Sequence, residues 1–401
     1  MKVRSSHAIV LIAIGLVAGF LVAAPASAAA GTYAVQVGAP LFRMPAAKGA
    51  PADGMRFYAP PLDVHQGDVV TFNAAGFHTA TLLPANTDAD SWIADNAAGP
   101  GEPYAFVAPD PDEGAKGLKF NNSDLFPSRL DCGDLTDPCP YDGSQVANSG
   151  IVDANDLNAP FAFSVQINAS VGSTIPVLCL VHLGMRFQIS VVASSETATT
   201  QAEIDSFKDQ KVNHDARAAS KLHRSLLEQS SGAHGGVVQA YAGYDGPHFA
   251  LDYFYPNRIE LEKGQRVQWH FDQLAFEDHT VTFPRGKGLE ISGNSFVPVC
   301  DPDGDTGTMP DEPANEDATT LDEVCPGGPS QIELDIDPRF APPAGDGVVT
   351  STRDFESSGI EGANVGGSDP FTLRFTASSD DGPYTFLCMI HPFMKGKVVV
   401  R

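Results

Sequence analysis

The sequence predicts an all-β protein built from two tandem sandwiches that a helix joins. Short segments, among them Phe161–Asn168 and Phe371–Thr376, alternate apolar and polar side chains. A period of two marks strands with one face on a core, and Gly, Pro and Asp turns between such strands are typical of a sandwich. The segments also recur in the same order in the two halves of the chain, which indicates a duplication.

The repeat sets the predicted domain boundaries. Leu62–Val64 and Val69–Phe72 in the first half have counterparts in Ile259–Leu261 and Val267–Trp269 in the second. A chain of 401 residues is long enough for two or three separate cores. We therefore predict a first domain at 30–195, a linker at 196–235 and a second domain at 236–401.

The linker is predicted to be helical from Thr200 to Gln229, where Gly and Pro are scarce and good helix formers are common. Thr200 and Glu203 fit a capping box, and the Ser-Ser-Gly at 230–232 is a stop signal. A helix of about 30 residues spans about 45 Å. A weak apolar stripe predicts that this helix packs on one or both sandwiches: Ile204, Phe207, Leu222 and Leu226.

Each half contains a cysteine followed by a histidine at the third and a methionine at the sixth position, and a second histidine far upstream. The two sets are His78, Cys179, His182 and Met185, and His279, Cys388, His391 and Met394. A single cysteine or methionine on an apolar strand is usually core packing, but the spacing occurs twice. Soft sulfur ligands select copper, and two imidazoles, a thiolate and a weak axial thioether form the blue-copper electron-transfer site.

These motifs resemble those of the cupredoxins, the plastocyanin and amicyanin family. The C-terminal C-x2-H-P-F-M-x-G-K-V-V-V is especially similar to amicyanin, whereas the first copy departs after Met185, with Arg186-Phe187-Gln188. The resemblance implies two Greek-key sandwiches, each with a type 1 copper, that carry single electrons. It also implies that the loop histidines are electron ports, with docking patches formed by Leu183, Pro392 and Phe393. Ordinary loop packing is the alternative interpretation of those three residues.

A long segment separates the upstream histidine from the cysteine loop in both halves. Hairpin loops usually have about 2–5 residues, so we interpret both segments as ordered insertions. Each contains one cysteine pair, Cys132 with Cys139 and Cys300 with Cys325. Sequence does not fix connectivity, but pairing within each insertion leaves the two motif cysteines free. We therefore expect disulfide-clipped insertions near the copper sites.

The composition excludes some partners. With 25 Lys and Arg against 50 Asp and Glu, the net charge is -25. Such a surface disfavours nucleic acid, which is bound through cationic contacts to phosphate. It fits basic partners, a saline environment or solubility alone. We expect a redox protein as donor and another as acceptor, with a basic protein such as a cytochrome as one candidate.

Residues 1–28 are predicted to be a signal peptide. Lys2 and Arg4 precede an apolar run from Ala8 to Ala24, and Ala26-Ser27-Ala28 is a cleavage site. The chain is therefore expected to be secreted, periplasmic or extracellular, with no membrane span after cleavage. An uncleaved anchor is the alternative.

Multicopper oxidases and copper nitrite reductases also use domains of the family that this chain resembles, but they carry extra histidine motifs that this sequence lacks. No His-X-His occurs, and no histidine flanks Cys179 or Cys388. We therefore expect that the chain is not an enzyme. Electron transfer is the favoured function, and extracytoplasmic copper binding or buffering is the alternative.

Two weaker patterns are interpreted as surface features. Asp301, Asp303, Asp305 and Glu312 have the spacing of a calcium loop, but Thr306 replaces the required Gly and prolines follow, so a solvated loop is favoured. The remaining histidines of the mature chain are expected at the surface: His65, His214, His223, His234, His248 and His270.

Overall fold

The structure is a computed structural model. It describes residues 30–41, 52–96, 107–110, 117–120, 127–129, 131–151, 161–182, 184–230, 233–234, 236–271, 277–295, 297–300, 312–313, 325, 332–335, 337–362, 369–380 and 382–401.

Strands dominate the described ranges, which contain three helices: α1 (Ala89–Asn96), α2 (Gln201–Gln229) and α3 (Arg285–Gly293). The strands before α2 are β1 (Thr32–Pro40), β2 (Ala52–Phe57), β3 (Leu62–His65), β4 (Val69–Ala74), β5 (Thr81–Leu82), β6 (Val107–Asp110), β7 (Gly117–Phe120), β8 (Cys139–Tyr141), β9 (Ala147–Asn148), β10 (Ala162–Ile167), β11 (Thr174–Leu178) and β12 (Arg186–Val192). Those after α2 are β13 (Ala233–His234), β14 (Val237–Gly246), β15 (Phe249–Tyr255), β16 (Arg258–Leu261), β17 (Arg266–Phe271), β18 (Thr282–Phe283), β19 (Val297–Cys300), β20 (Glu312–Pro313), β21 (Ile332–Asp335), β22 (Val348–Val349), β23 (Glu356–Ser357), β24 (Phe371–Phe375), β25 (Tyr384–Leu387) and β26 (Lys395–Val400).

One large sheet runs through both halves of the molecule. Its order is β22-β24-β17-β14-β15-β2-β1-β4-β10-β8, with β13 beside β14. A five-stranded sheet opposes each half: β3-β12-β11-β5-β9 in the first and β16-β26-β25-β18-β23 in the second. The fold prediction is therefore confirmed: the molecule consists of two tandem β-sandwiches with a helix between them.

The halves meet at β2 and β15, which pair antiparallel with Ala250 opposite Asp53. The arrangement on either side is the same, because β1 pairs antiparallel with β2 and parallel with β4, as β14 does with β15 and β17. This symmetric contact places the loops near Asp53 in the first half beside the equivalent loops of the second half.

Aromatic side chains fill the space between the layers in both halves. The rings of Phe57 and Phe187 stack with centroids 5.5 Å apart in the first core. Trp269 and Phe386 contact edge to face at 5.5 Å in the second. Off-centre and edge-to-face arrangements are the favoured geometries of aromatic pairs, and each large ring removes about 150–250 Å² from water. These cores hold the strand ends that carry the motif residues.

Helix α2 begins with the predicted capping box. Thr200 Oγ1 accepts from the Glu203 N–H, and the Glu203 carboxylate accepts from the Thr200 N–H at 2.8 Å. Leu226, one residue of the predicted stripe, lies in a cluster with Tyr58 of the first half and Tyr255 of the second. The helix therefore packs on both sandwiches.

The prediction that His223 is solvated is wrong. Its side chain is buried at 7% exposure, and its Nδ1 lies 2.9 Å from the Tyr255 hydroxyl. The reason is that this face of α2 packs on β15, where the Tyr253 and Tyr255 rings surround the imidazole.

Both predicted disulfides are present, Cys132–Cys139 and Cys300–Cys325, and the two motif cysteines are free and buried. The signal-peptide residues and Asp301, Asp303 and Asp305 lie outside the described residues, and Glu312 begins β20. Within the described ranges, no helix combines the length and the apolar character that a membrane crossing requires.

Candidate metal centres

The cysteine loops of the two halves close in the same way. Cys179 follows β11, and its N–H donates to the Met185 carbonyl at 3.1 Å, while the Met185 N–H donates to the His182 carbonyl at 2.8 Å. Cys388 follows β25, and the equivalent bonds to Met394 and His391 measure 3.0 and 2.7 Å. The spacing of three and six residues therefore produces one compact turn whose residues are held by the strands on either side.

The first cluster brings together three of the four residues predicted for the first copper site. The ligand atoms of His78, Cys179 and His182 all lie within 4.8 Å of one another. His182 Nδ1 is 3.6 Å from the Cys179 Sγ and 3.0 Å from His78 Nδ1. All three residues are buried, so two nitrogens and one sulfur converge on a point away from water.

The second cluster has the same geometry. Cys388 Sγ lies 3.9 Å from His279 Nδ1 and 3.7 Å from His391 Nδ1, and the two Nδ1 atoms are 3.2 Å apart. The donor set fits copper, because a thiolate and two imidazoles are the soft and intermediate ligands that this metal prefers. Met185 and Met394 are buried in the same cores as the two cysteines.

Hydrogen bonds to sulfur favour the thiolate form of both cysteines. The N–H of Thr79 donates to Cys179 Sγ at 3.3 Å, and that of Thr280 donates to Cys388 Sγ at 3.2 Å. Burial alone would raise the pKa of each thiol. The hydrogen bonds and charges of the adjacent imidazoles outweigh burial and hold the pKa of both thiols well below the ordinary value.

Two threonines pin the upstream histidine to the cysteine loop. The Thr79 Oγ1 accepts from the N–H of Leu180 at 2.8 Å, and the Thr280 Oγ1 accepts from the N–H of Met389 at 2.7 Å. Neither threonine was singled out from the sequence, although both directly follow a predicted ligand histidine. Their recurrence in the two halves was the signal that would have identified them.

A positive-φ glycine lies against each upstream histidine. Gly38 interrupts the β1–β2 register and Gly243 interrupts the β14–β15 register, with φ of +68° and +72°. A Cβ at Gly38 would lie 2.2 Å from His78 Nε2, and one at Gly243 would lie 1.9 Å from His279 Nε2. These close approaches fix the outer edges of both imidazoles.

A carboxylate lies between the loop histidines of the two halves. Glu277 Oε1 is 3.1 Å from His182 Nε2, and Oε2 is 3.4 Å from His391 Nε2. Both are ion-pair distances, although the His182 ring N–H is not aligned for a hydrogen bond. Burial would raise the pKa of Glu277, but the two imidazoles hold it well below its ordinary value. No local pattern in the sequence indicates this contact, because it joins residues that are far apart in the chain.

A second carboxylate at this interface, Asp53 of β2, comes from the first half. Its Oδ2 is 3.9 Å from His78 Nε2. Burial raises the pKa of Asp53 to about 6, against the opposing effect of His78. The interface between the halves is therefore rich in carboxylates that face the outer nitrogens of the candidate ligands.

The predicted docking patches are described in part. Phe393 is 54% exposed and its ring lies 5.8 Å from that of His391, whereas Leu183 lies outside the described residues. The role of these residues in docking stays a prediction.

Comparisons with known proteins found distant likenesses to solved structures of copper proteins. No family model and no curated protein sequence matches the chain. The chain is similar to the solved structure of dithionite-reduced auracyanin from Roseiflexus castenholzii, with 14% identity and a TM-score of 0.20 over 42% of this chain and 99% of that one. It is also similar to Blue Copper Oxidase from Nitrosomonas europaea, with 9% identity and a TM-score of 0.19 over 92% and 85%. A Cu-containing nitrite reductase from Thermus scotoductus matches with 12% identity and a TM-score of 0.15 over 92% and 61%. These likenesses are distant, and the two-sandwich fold is established by the strand pairing of the described residues.

The prediction that the chain is not an enzyme is wrong. It rested on missing histidine motifs, but the solved structures that resemble the chain include multicopper oxidases and a nitrite reductase, which are enzymes. The absence of short histidine motifs around Cys179 and Cys388 therefore does not decide whether the chain has an activity.

Proposed function

We propose that this chain is a secreted two-domain copper protein that carries single electrons between redox partners. The observation that carries the proposal is the convergence of two nitrogens and one sulfur in each half, at His78, Cys179 and His182 and again at His279, Cys388 and His391. The loop methionines Met185 and Met394 are proposed as weak axial ligands. Copper bound there would supply one-electron chemistry by changing between Cu(I) and Cu(II).

The protein residues would keep each site in one geometry. The upstream histidine and the loop histidine come from segments that are far apart in the chain, and the Thr79 or Thr280 hydroxyl ties the two segments together. The adjacent imidazoles hold the pKa of each thiol well below its ordinary value, which favours the thiolate. Buried ligands with fixed positions change little between oxidation states, and a site of this kind transfers an electron with little rearrangement.

The division into domains at 30–195 and 236–401 and the amicyanin-like character of the second loop are parts of the same proposal. So are export by the 1–28 signal peptide and redox partners that match an acidic surface of net charge -25. A basic cytochrome-like protein has the complementary charge, and such complementarity accelerates association.

The test is a copper titration of the mature protein with visible absorption and bound metal followed together. We expect intense blue absorption that saturates at two coppers per chain. The Cys179→Ser and Cys388→Ser variants are each expected to lose one copper and half of the blue absorption. The four disulfide cysteines are left unchanged in both variants, so that any loss is due to the substituted motif cysteine.

Other outcomes would replace the proposal. Copper that binds tightly without blue absorption would favour copper buffering. Catalytic consumption of oxygen or nitrite by the copper-loaded protein would show an oxidase or a reductase. One blue copper per chain would indicate that one half is structural, and the first, with Arg186 and Phe187 after its methionine, is the half to examine.

A further inference from the structure

We propose that Glu277 connects the two metal centres, so that an electron passes from one site to the other through His182, the Glu277 carboxylate and His391. This inference rests on the proposed function, since it requires a metal in both halves. The Nδ1 atoms of the two loop histidines face the cysteine sulfurs, and their Nε2 atoms face Glu277 at 3.1 and 3.4 Å. The path therefore consists of two imidazole rings and one carboxylate.

The surroundings of Glu277 favour a fixed bridge. Its side chain is 15% exposed, those of His182 and His391 are 1% and 13% exposed, and the three groups lie between the sandwiches. The Glu277 N–H donates to Asp245 Oδ2 at 3.3 Å, which positions the backbone. Bulk water is thus largely excluded from the space between the two rings.

The bridge is asymmetric although the fold is duplicated. Gly76 precedes His78 by two positions, as Glu277 precedes His279. A Cβ at Gly76 would lie 2.3 Å from Asp53 Oδ2, so that position has no room for a second carboxylate side chain beside Asp53. One residue therefore serves both halves, and it comes from the second.

The transfer is balanced without any other reactant. Copper held by His279, Cys388 and His391 would exchange one electron with copper held by His78, Cys179 and His182, so that one oxidation from Cu(I) to Cu(II) would match one reduction from Cu(II) to Cu(I). No covalent bond is formed or broken and no proton leaves the bridge. The bridge allows two outer partners to dock at different faces and still exchange one electron through the chain.

The test compares Glu277→Ala and Glu277→Gln with Asp53→Asn as the matched control, because Asp53 contacts the His78 imidazole alone among the proposed copper ligands. A Met185→Gln background separates the colours and potentials of the two sites, since the axial ligand tunes both. The copper-loaded proteins are reduced by less than one electron per chain in a fast pulse. The transfer between sites is then followed by absorption.

We expect the transfer rate to fall severalfold in Glu277→Ala and less in Glu277→Gln, and to change little in Asp53→Asn. Both reduction potentials are expected to rise in Glu277→Gln, because the substitution removes a negative charge that stabilises Cu(II) more than Cu(I). In Asp53→Asn only the reduction potential of the first site is expected to change. An unchanged transfer rate in Glu277→Ala, or an equal loss in Asp53→Asn, would overturn the proposal and leave Glu277 as a tie between the halves.

A measurement on the metal-free protein keeps the two proposals separate. We expect ¹⁵N NMR signals of the His182 and His391 rings to shift together in Glu277→Ala, while Asp53→Asn shifts that of His78. If the rings shift as expected but copper gives fewer than two blue sites, the proposed function fails and the bridging contact stands. If two blue sites form but the rings do not respond, the bridge itself is refuted.

Discussion

Replacing Gly243 by alanine tests whether the second metal centre is as closely packed as the structure shows. Gly243 has φ of +72°, a conformation that costs an L-residue about 1–2 kcal/mol. Its new Cβ would lie 1.9 Å from His279 Nε2, far inside van der Waals contact. Either the imidazole or the backbone at the β14–β15 register shift, a β-bulge at Gly243, therefore has to move. Overpacking of a well-filled site costs about 1–3 kcal/mol in addition.

Gly236 supplies the matched control. It has φ of +80°, close to that of Gly243, but nothing lies within 4 Å of a Cβ built there. Gly236→Ala therefore measures backbone strain alone, and the difference between the two variants measures displacement of His279. If the overpacking cost of about 1–3 kcal/mol weakens copper binding in full, the copper affinity of the second site decreases about 5- to 150-fold, at 1.4 kcal/mol per factor of ten.

The assay is competition for copper with a chelator, combined with calorimetric unfolding of the metal-free protein. The blue absorption proposed for the first half, which would depend on Cys179, serves as the internal reference. Equal copper affinity of the second site in Gly243→Ala and Gly236→Ala would refute the reasoning, because it would show that the backbone at Gly243 does not fix the position of His279.

Three further predictions concern helix α2. The Arg56 guanidinium is 16% exposed and lies 3.0 Å from the Asp215 carboxylate, so Asp215→Ala leaves it without this partner. Breaking such a pair is expected to lower the free energy of unfolding by about 3 kcal/mol, which calorimetry would record as a melting temperature about 6–12 °C lower. Thr200→Ala removes the capping box and is expected to cost about 1 kcal/mol by the same measurement. Burial lowers the pKa of His223, so the native state binds this proton less tightly than the unfolded state. The contribution of the neutral His223 side chain to stability is therefore complete above the ordinary pKa of 6.5. This contribution is lost as the pH falls towards the lower pKa of His223 in the folded state. His223→Gln should reduce this loss of stability, measured as melting temperature at pH 7.5 and 5.5.

Each of these predictions has a contradicting outcome. An Asp215→Ala melting temperature within error of the parent protein would mean that the pair contributes nothing to the docking of the helix. A loss in Thr200→Ala that is reproduced by a substitution at exposed Gln210 would remove the cap from the explanation. Identical pH dependence in His223→Gln and the parent would assign the acid sensitivity to other groups.

The sequence predicted the parts of the molecule that local patterns determine. Alternation along Phe371–Phe375 identified a strand, and the Thr200–Glu203 spacing identified the start of a helix. The Cys-His-Met spacing identified turns that the structure closes with equivalent hydrogen bonds at Met185 and Met394. These features are visible because a period or a spacing in the chain maps directly onto geometry.

The features that depend on tertiary contacts were not predictable in this way. Glu277 contacts His182 only because β2 and β15 pair, and nothing in the local sequence of either strand specifies that partner. The burial of His223 follows in the same way from the packing of α2 on β15. Polar residues in these positions resemble surface residues until the fold brings the two halves together.

The pairing of β2 with β15 makes the chain equivalent to a two-fold dimer whose protomers have been fused. In a dimer of identical chains, any substitution at the contact is made on both sides at once. Fusion removes that restriction, and the Gly76 and Glu277 pair shows the result, with different residues at equivalent positions. The joined sheet also uses two strand edges that would otherwise be open to other chains. Covalent linkage thus allows the two halves to diverge while their shared edge stays closed.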